Sequence, residues 1–178
     1  MSNYKIIFTG PVGAGKTTAI KSLSDDVPVT TDEAASDMTK SRKKATTVAM
    51  DYGVMRLDGG EVIHLYGTPG QERFNFMWDI LSTGGIGLVI LLDNTRPDPF
   101  VDLRFFLDTF SDFIDKTSVV IGVTQMDNSP KPTIGDYQLQ LKGTGLNPAI
   151  FEVDARDSED VSLLVQGLLY SLDPGLEE

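Results

Sequence analysis

Gly10-Pro11-Val12-Gly13-Ala14-Gly15-Lys16-Thr17 decides the fold: it fits the phosphate-binding pattern G-x-x-x-x-G-K-[ST] at every fixed position. Upstream, Tyr4-Lys5-Ile6-Ile7-Phe8-Thr9 is a short apolar run that reads as a buried strand. Downstream, Thr17 to Leu23 continues as a helix free of Pro and Gly, so the loop joins strand to helix. Glycines at 10, 13 and 15 let successive backbone N–H groups turn inward onto a phosphate chain, and the helix N-terminus adds partial positive charge. Loop contacts are therefore expected from Gly10, Val12, Gly13, Ala14, Gly15, Lys16, Thr17 and Thr18. Lys16 is expected at the β- and γ-phosphates, and the Thr17 hydroxyl in a Mg²⁺ shell. The expected ligand is a nucleoside phosphate.

The chain has 178 residues, enough for one domain with a sizeable core, and a formal net charge of −11. An acidic surface repels nucleic acid and anionic lipid, so neither is an expected partner. There is no cysteine, which excludes disulfides, thiol catalysis, prenylation and palmitoylation, and Ser2 is not a myristoylation glycine. No apolar run approaches the roughly 20 residues of a membrane span. The expectation is a single cytoplasmic domain over residues 1–178 without a leader or a stable membrane anchor.

Outward from the loop, Val29 to Ala45 is polar, with no convincing strand, and closes on the basic cluster Lys40-Ser41-Arg42-Lys43-Lys44. That cluster is consistent with a solvated loop and with a phosphate- or partner-facing surface. Val48–Leu57 and Glu61–Tyr66 read as two strands joined by Asp58-Gly59-Gly60, an antiparallel hairpin. His64, the only histidine, alternates with Val62 and Tyr66 and reads as a packed strand residue more readily than as a base. After Gly67-Thr68-Pro69-Gly70-Gln71-Glu72-Arg73, the spacing of Phe74, Met77, Trp78 and Leu81 predicts a helix.

Ile86–Leu92 is nearly continuous apolar sequence, as a central parallel strand requires. Pro97 and Pro99 open a helix with an apolar stripe of Val101, Phe105, Phe106, Phe110 and Phe113. Ser118–Thr124 is a further strand, a helix surrounds Tyr137 and Leu141, Ala149–Val153 is the last strand, and Ser158 caps a closing helix. Alternating strands and helices predict a three-layer α/β domain: a mostly parallel six-stranded sheet with one antiparallel hairpin strand.

This order of motifs resembles the Ras-like small GTPase superfamily (P-loop G domain) along the whole chain. Gly70-Gln71-Glu72-Arg73-Phe74 is similar to a Rab- or Arf-type switch II, and Thr47 followed by Asp51-Tyr52 resembles the end of switch I. The resemblance implies switch I at about 29–47 and switch II at about 67–81, with Thr47 on Mg²⁺ and the γ-phosphate. It also implies Gly70 N–H on that phosphate and Gln71, with Lys16, as the catalytic residues. The family's Asp-x-x-Gly stands here as Gly67-Thr68-Pro69-Gly70, lacking the carboxylate, a departure shared with bacterial MglA-like GTPases. The base-reading motif appears as Thr124-Gln125-Met126-Asp127. Asp127 keeps the guanine-selecting carboxylate, while Thr124 cannot fully replace a bracing Asn and Gln125 lacks a lysine's charge.

Asp154-Ala155-Arg156 resembles the Ser-Ala-Lys loop. Taken alone, a strand-terminal Asp such as Asp127 is more often a turn former. The implied activity is slow hydrolysis of GTP to GDP with Mg²⁺ as cofactor. Implied partners are a GTPase-activating regulator, roadblock-type by analogy with bacterial relatives, and an effector at the switches. Arg42 is a candidate arginine finger or a solvated cation. A nucleotide-dependent binding module with negligible turnover and a P-loop ATPase or kinase are the alternatives.

Overall fold

The computed structural model describes residues 3–30, 51–69 and 82–172, with Val29 and Thr30 described by their backbone alone. Thr47, Gly70, Gln71, Arg42, the basic cluster and the helix expected after Phe74 lie outside the described residues.

The elements are β1 (Asn3–Thr9), α1 (Lys16–Leu23), β2 (Val29–Thr30), β3 (Asp51–Arg56), β4 (Val62–Gly67), β5 (Gly87–Asp93), α2 (Pro99–Thr109), α3 (Ser111–Lys116), β6 (Val119–Thr124), α4 (Ile134–Leu141), β7 (Ile150–Glu152) and α5 (Ser158–Leu172). The strands form one sheet in the order β2-β3-β4-β1-β5-β6-β7. β1, β4, β5, β6 and β7 pair parallel, and β3 runs against both of its neighbours. The six expected strands are present. The seventh, β2, falls at the start of a stretch read as strandless, because two residues are too few to give a periodicity.

β1 sits between β4 and β5, fully buried from Ile6 to Thr9. Ile6 and Phe8 face a cluster with Ile20 of α1 and Val161, Leu164 and Leu168 of α5. Ile7 faces the opposite cluster, with Leu103 and Phe106 of α2, Ile114 of α3 and Tyr137 of α4. That is the three-layer arrangement, and each fully buried Ile, Leu or Phe contributes about 1.5–3 kcal/mol of apolar transfer.

Two local expectations are corrected. The helix expected from Pro97 through Phe113 is interrupted at Phe110 (φ −99°, ψ 16°), which turns both Phe110 and Ile114 into one apolar cluster. Its buried stripe runs through Leu103, Phe106 and Leu107, while Val101 is 53% exposed. The closing helix is capped by Asp157, whose carboxylate accepts from Glu159 N at 2.9 Å, and Ser158 is its first helical residue. A carboxylate there also suits the helix dipole.

Candidate functional site

The phosphate loop leaves β1 at a close approach that only glycine permits. Gly10 has φ +149°, and a Cβ there would lie 2.1 Å from the Leu91 carbonyl of β5. Gly13 and Gly15 also take positive φ, at 84° and 99°. The loop closes with Ala14 N donating to Pro11 O at 3.2 Å and α1 starting at Lys16. Val12 projects outward at 58% exposure.

Lys16 is buried. Its Nζ donates to the Gly10 carbonyl at 2.7 Å and the Pro11 carbonyl at 2.9 Å, so the ammonium is folded back over the loop it follows. Burial pushes its pKa down to about 8, opposed by the nearby Asp51 carboxylate. Thr17 Oγ1 donates to Asp51 Oδ2 at 2.6 Å.

A second loop follows β6. Thr124, 4% exposed, donates from its hydroxyl to Ala14 O at 3.0 Å and to Leu92 O at 3.2 Å. A threonine brings fewer polar atoms to this position than the asparagine of the family's motif. The shorter side chain still ties the loop after β6 to the phosphate loop, because β6 brings it within direct reach. Gln125 takes φ +65°, and its side-chain carbonyl accepts from Asn128 Nδ2 at 2.5 Å. The loop is anchored from below by buried Asn94, whose Nδ2 donates to Ser129 O and Pro132 O and whose Oδ1 accepts from the Tyr137 hydroxyl.

The third loop follows β7. Asp154 N donates to the Asp160 carboxylate, and the Asp154 carboxylate takes Arg156 through Nε, one terminal nitrogen and the backbone N–H, at 2.8–2.9 Å. These bonds from Arg156 hold the Asp154 carboxyl down at about 2, although the Arg156 side chain is exposed and that of Asp154 partly so. Ala155 is nearly buried, and a Cβ on Gly15 would stand 2.9 Å from its Cβ, so the first and third loops touch.

The three loops enclose a cavity of about 630 Å³ lined by Gly13, Ala14, Gly15 and Thr18 on one side. Thr124, Gln125, Asp127, Asp154, Ala155 and Arg156 line the other. The sequence-expected residues of these loops are thus brought to one recess, except Gly10 and Val12 in the phosphate loop and Lys16 and Thr17 at the start of α1, which do not line it. Asp127 and Arg156 are exposed at its rim. Asp160, Asn128 and Asp51 were not among the expected site residues; Asp51 alone had a signal, the Asp-aromatic pair with Tyr52. His64 is a strand residue, with Nδ1 2.7 Å from the Tyr52 hydroxyl and Nε2 3.1 Å from Asn3 Oδ1.

Among the described residues no group of three or more His, Asp or Glu could hold a metal ion, and no helix is long and apolar enough to cross a membrane. Mg²⁺ is ordinarily bound by one or two side-chain oxygens plus substrate phosphates, and not by an all-protein cage. The Thr17 hydroxyl with a carboxylate beside it fits that donor set.

A family model described as conserved hypothetical ATP binding protein matches residues 26–142, more than half of the chain. The match includes Asp51, Gly67 and Asp127 and leaves out the phosphate loop and Asp154–Arg156. Among curated relatives, uncharacterized protein MJ1339 of Methanocaldococcus jannaschii is 32% identical over 92 residues, 52% of each chain. Ras-related protein RabC of Dictyostelium discoideum is 25% identical over 175 residues, covering 93% of this chain and 83% of its own. GTP-binding protein YPT1 of Saccharomyces cerevisiae is 24% identical over 162 residues, covering 89% and 73%. The chain spans about half the length of the archaeal relative.

Proposed function

We propose, from the premise that the chain belongs to the family described as conserved hypothetical ATP binding protein, that it is a small-GTPase-type switch which binds and slowly hydrolyses GTP. The observation that carries this reading is the cavity of about 630 Å³ in which Asp127 and Ala155 share one recess with Gly13, Gly15 and Thr18. A carboxylate accepts from both N1–H and the exocyclic amine of guanine, whereas adenine presents an acceptor at N1. Ala155 N–H is the candidate donor to the guanine oxygen. YPT1, named a GTP-binding protein, supports the same base, and RabC, named Ras-related, supports the same kind of protein; both are similar along most of their length.

In this reading Lys16, already an ammonium donor to two carbonyls, transfers its bonds to the β- and γ-phosphate oxygens. Loop N–H groups from Gly13 to Thr18 hold the phosphate chain, and Thr17 with Thr47 holds Mg²⁺. When bound, the ion neutralises charge building on the phosphate oxygens. Gly70 contacts the γ-phosphate and Gln71 orients the attacking water, so the chemistry is positional and electrostatic. Losing the γ-phosphate releases residues 29–47 and 67–81, and an effector or an activating protein reads the change. Gly67-Thr68-Pro69-Gly70 is what favours MglA-like relatives and, by analogy, a roadblock-type regulator.

A second reading is favoured by the family's description: an ATP-binding protein on the same loops. Direct titration with GTP, GDP and ATP separates the two, with GTP and GDP expected to bind tightly and ATP weakly. Single-turnover hydrolysis should follow GTP binding and fall strongly in Gln71→Leu with GTP affinity unchanged. Equal affinity for ATP, or equal turnover in the variant, sinks the GTPase reading.

A further inference from the structure

Asn94 stands one residue beyond β5, is buried, and reaches with its side chain into the loop that carries Asp127. Its backbone N–H donates to Thr124 O at 3.0 Å, which ties it to the last residue of β6. Its side-chain amide directs both hydrogens at the loop, to Ser129 O at 2.7 Å and Pro132 O at 2.9 Å. Its Oδ1 accepts from the Tyr137 hydroxyl at 2.6 Å. Tyr137, on α4, is fully buried, with its ring edge-on to Phe100 at 5.1 Å between centroids. We propose that Asn94 and Tyr137 are positioning residues for base selection, which set where Asp127 stands by fixing the far limb of its loop.

Asp127 lies between two supports. Before it, the Thr124 hydroxyl ties the loop to Ala14 O and Leu92 O. After it, Gln125 O accepts from Asn128 N at 3.1 Å and Ser129 N at 2.9 Å, which closes a tight turn with Asp127 inside. Ser129 thus closes the turn through its N–H and is held by Asn94 through its carbonyl. A carboxylate that accepts from two adjacent guanine donors needs a defined angle as well as a defined distance. Tyr137 fixes the amide that supplies it: two carbonyls face Nδ2 and a hydroxyl faces Oδ1, whereas a flipped amide or a carboxylate would set acceptor against acceptor. Burial pushes the pKa of the Tyr137 hydroxyl above its ordinary value, so it keeps its proton and donates. Asn94 and Tyr137 act through the loop and do not line the cavity. The inference rests on the guanine reading above.

The test is the base preference of the full chain, measured as affinity for GDP, inosine diphosphate and ADP in Tyr137→Phe and Asn94→Leu. Inosine diphosphate lacks the exocyclic amine, so the ratio of GDP to inosine diphosphate affinity reads one of the two bonds to Asp127. ADP reads the phosphate loop without either bond. Tyr137→Phe keeps the buried ring and removes the hydroxyl, and Asn94→Leu removes the amide at similar volume. The preference for GDP over inosine diphosphate should fall by about tenfold in Asn94→Leu, the equivalent of about one hydrogen bond, and by less in Tyr137→Phe. ADP affinity should stay at the wild-type value in both. Should Asn94→Leu fail to fold, Tyr137→Phe decides alone. Wild-type ratios in every folded variant overturn the assignment. An equal loss for all three nucleotides overturns it too, since the pair would then be structural support without a part in selection. Wild-type protein with no preference for GDP over ADP is a separate result, which overturns the guanine reading itself and the inference with it.

Discussion

The Thr124 hydroxyl donates to the Ala14 carbonyl at 3.0 Å, joining the loop after β6 to the phosphate loop across 110 residues of sequence. The same hydrogen is shared with Leu92 O at 3.2 Å. Thr124→Val keeps the shape and removes the donor, leaving two buried carbonyls short of a partner. It should destabilise the protein by about 1–3 kcal/mol in chemical denaturation, with Thr124→Ser close to wild type. Because the phosphate loop is what shifts, affinity for GTP, GDP and ATP should fall by similar factors. A loss confined to guanine nucleotides would show that the hydroxyl acts on the base loop alone.

Gly15 meets two constraints at once, a φ of +99° and an approach that would put an added Cβ 2.9 Å from Ala155 Cβ. Gly15→Ala should cost about 1–2 kcal/mol for the left-handed backbone, plus the strain of parting two loops. Adding Ala155→Gly should recover the contact part and leave the backbone part. Equal stability of the single and double variants in urea would mean that the loops separate freely.

The phosphate loop was legible because its residues carry their chemistry in a contiguous string, and Gly10, Gly13 and Gly15 do take the turns they were assigned. The sheet was legible because Ile86–Leu92 and Ser118–Thr124 are too apolar to be anything but covered strands. What escaped depends on register across strands. The turn around Gly59 pairs Arg56 with Val62 and therefore Asp51 with Gly67, yet nothing local to Asp51 says that it points at Thr17. That the Thr124 hydroxyl reaches Ala14 O was not legible either, because a motif gives no distance between two loops. Asp157 took the cap expected of Ser158 because two adjacent residues both qualify by type, and the backbone chooses between them.

Lys16 predicts a pH dependence with a definite sign. Burial lowers its pKa from the ordinary 10.5 to about 8 in the ligand-free protein, so between those values the unfolded chain holds more protons than the folded one. Stability of the ligand-free protein should accordingly rise with pH from about 8 to about 10 as far as this group is concerned. Nucleotide binding has the opposite sign, since phosphates favour the ammonium and raise its pKa. Affinity for GDP should be level below about pH 8 and then decline, with proton uptake on binding visible in calorimetry when buffers of different ionisation enthalpy are compared. Binding without proton uptake near pH 8.5 would place Lys16 away from the phosphates.

Asp127 carries the choice of base. It stands exposed at the rim of the cavity, in the loop that Asn94 anchors through Ser129 O and Pro132 O, so changing its side chain leaves the buried contacts untouched. Asp127→Asn should therefore unfold at the wild-type denaturant concentration. Its effect should appear in the ratio of GTP to ATP affinity. The amide offers one acceptor where the carboxylate offered two, and its NH₂ opposes a guanine donor. Two charge-assisted bonds at about 1.5–3 kcal/mol each are at stake, so GTP affinity should fall by two orders of magnitude or more. ATP affinity should hold or improve slightly, because an amide can donate to the adenine N1 acceptor. The contrary pattern is a variant whose GTP and ATP affinities both stay at wild-type values. Asp127 is then a rim residue that the base never meets, and the family's named nucleotide, ATP, becomes the better assignment.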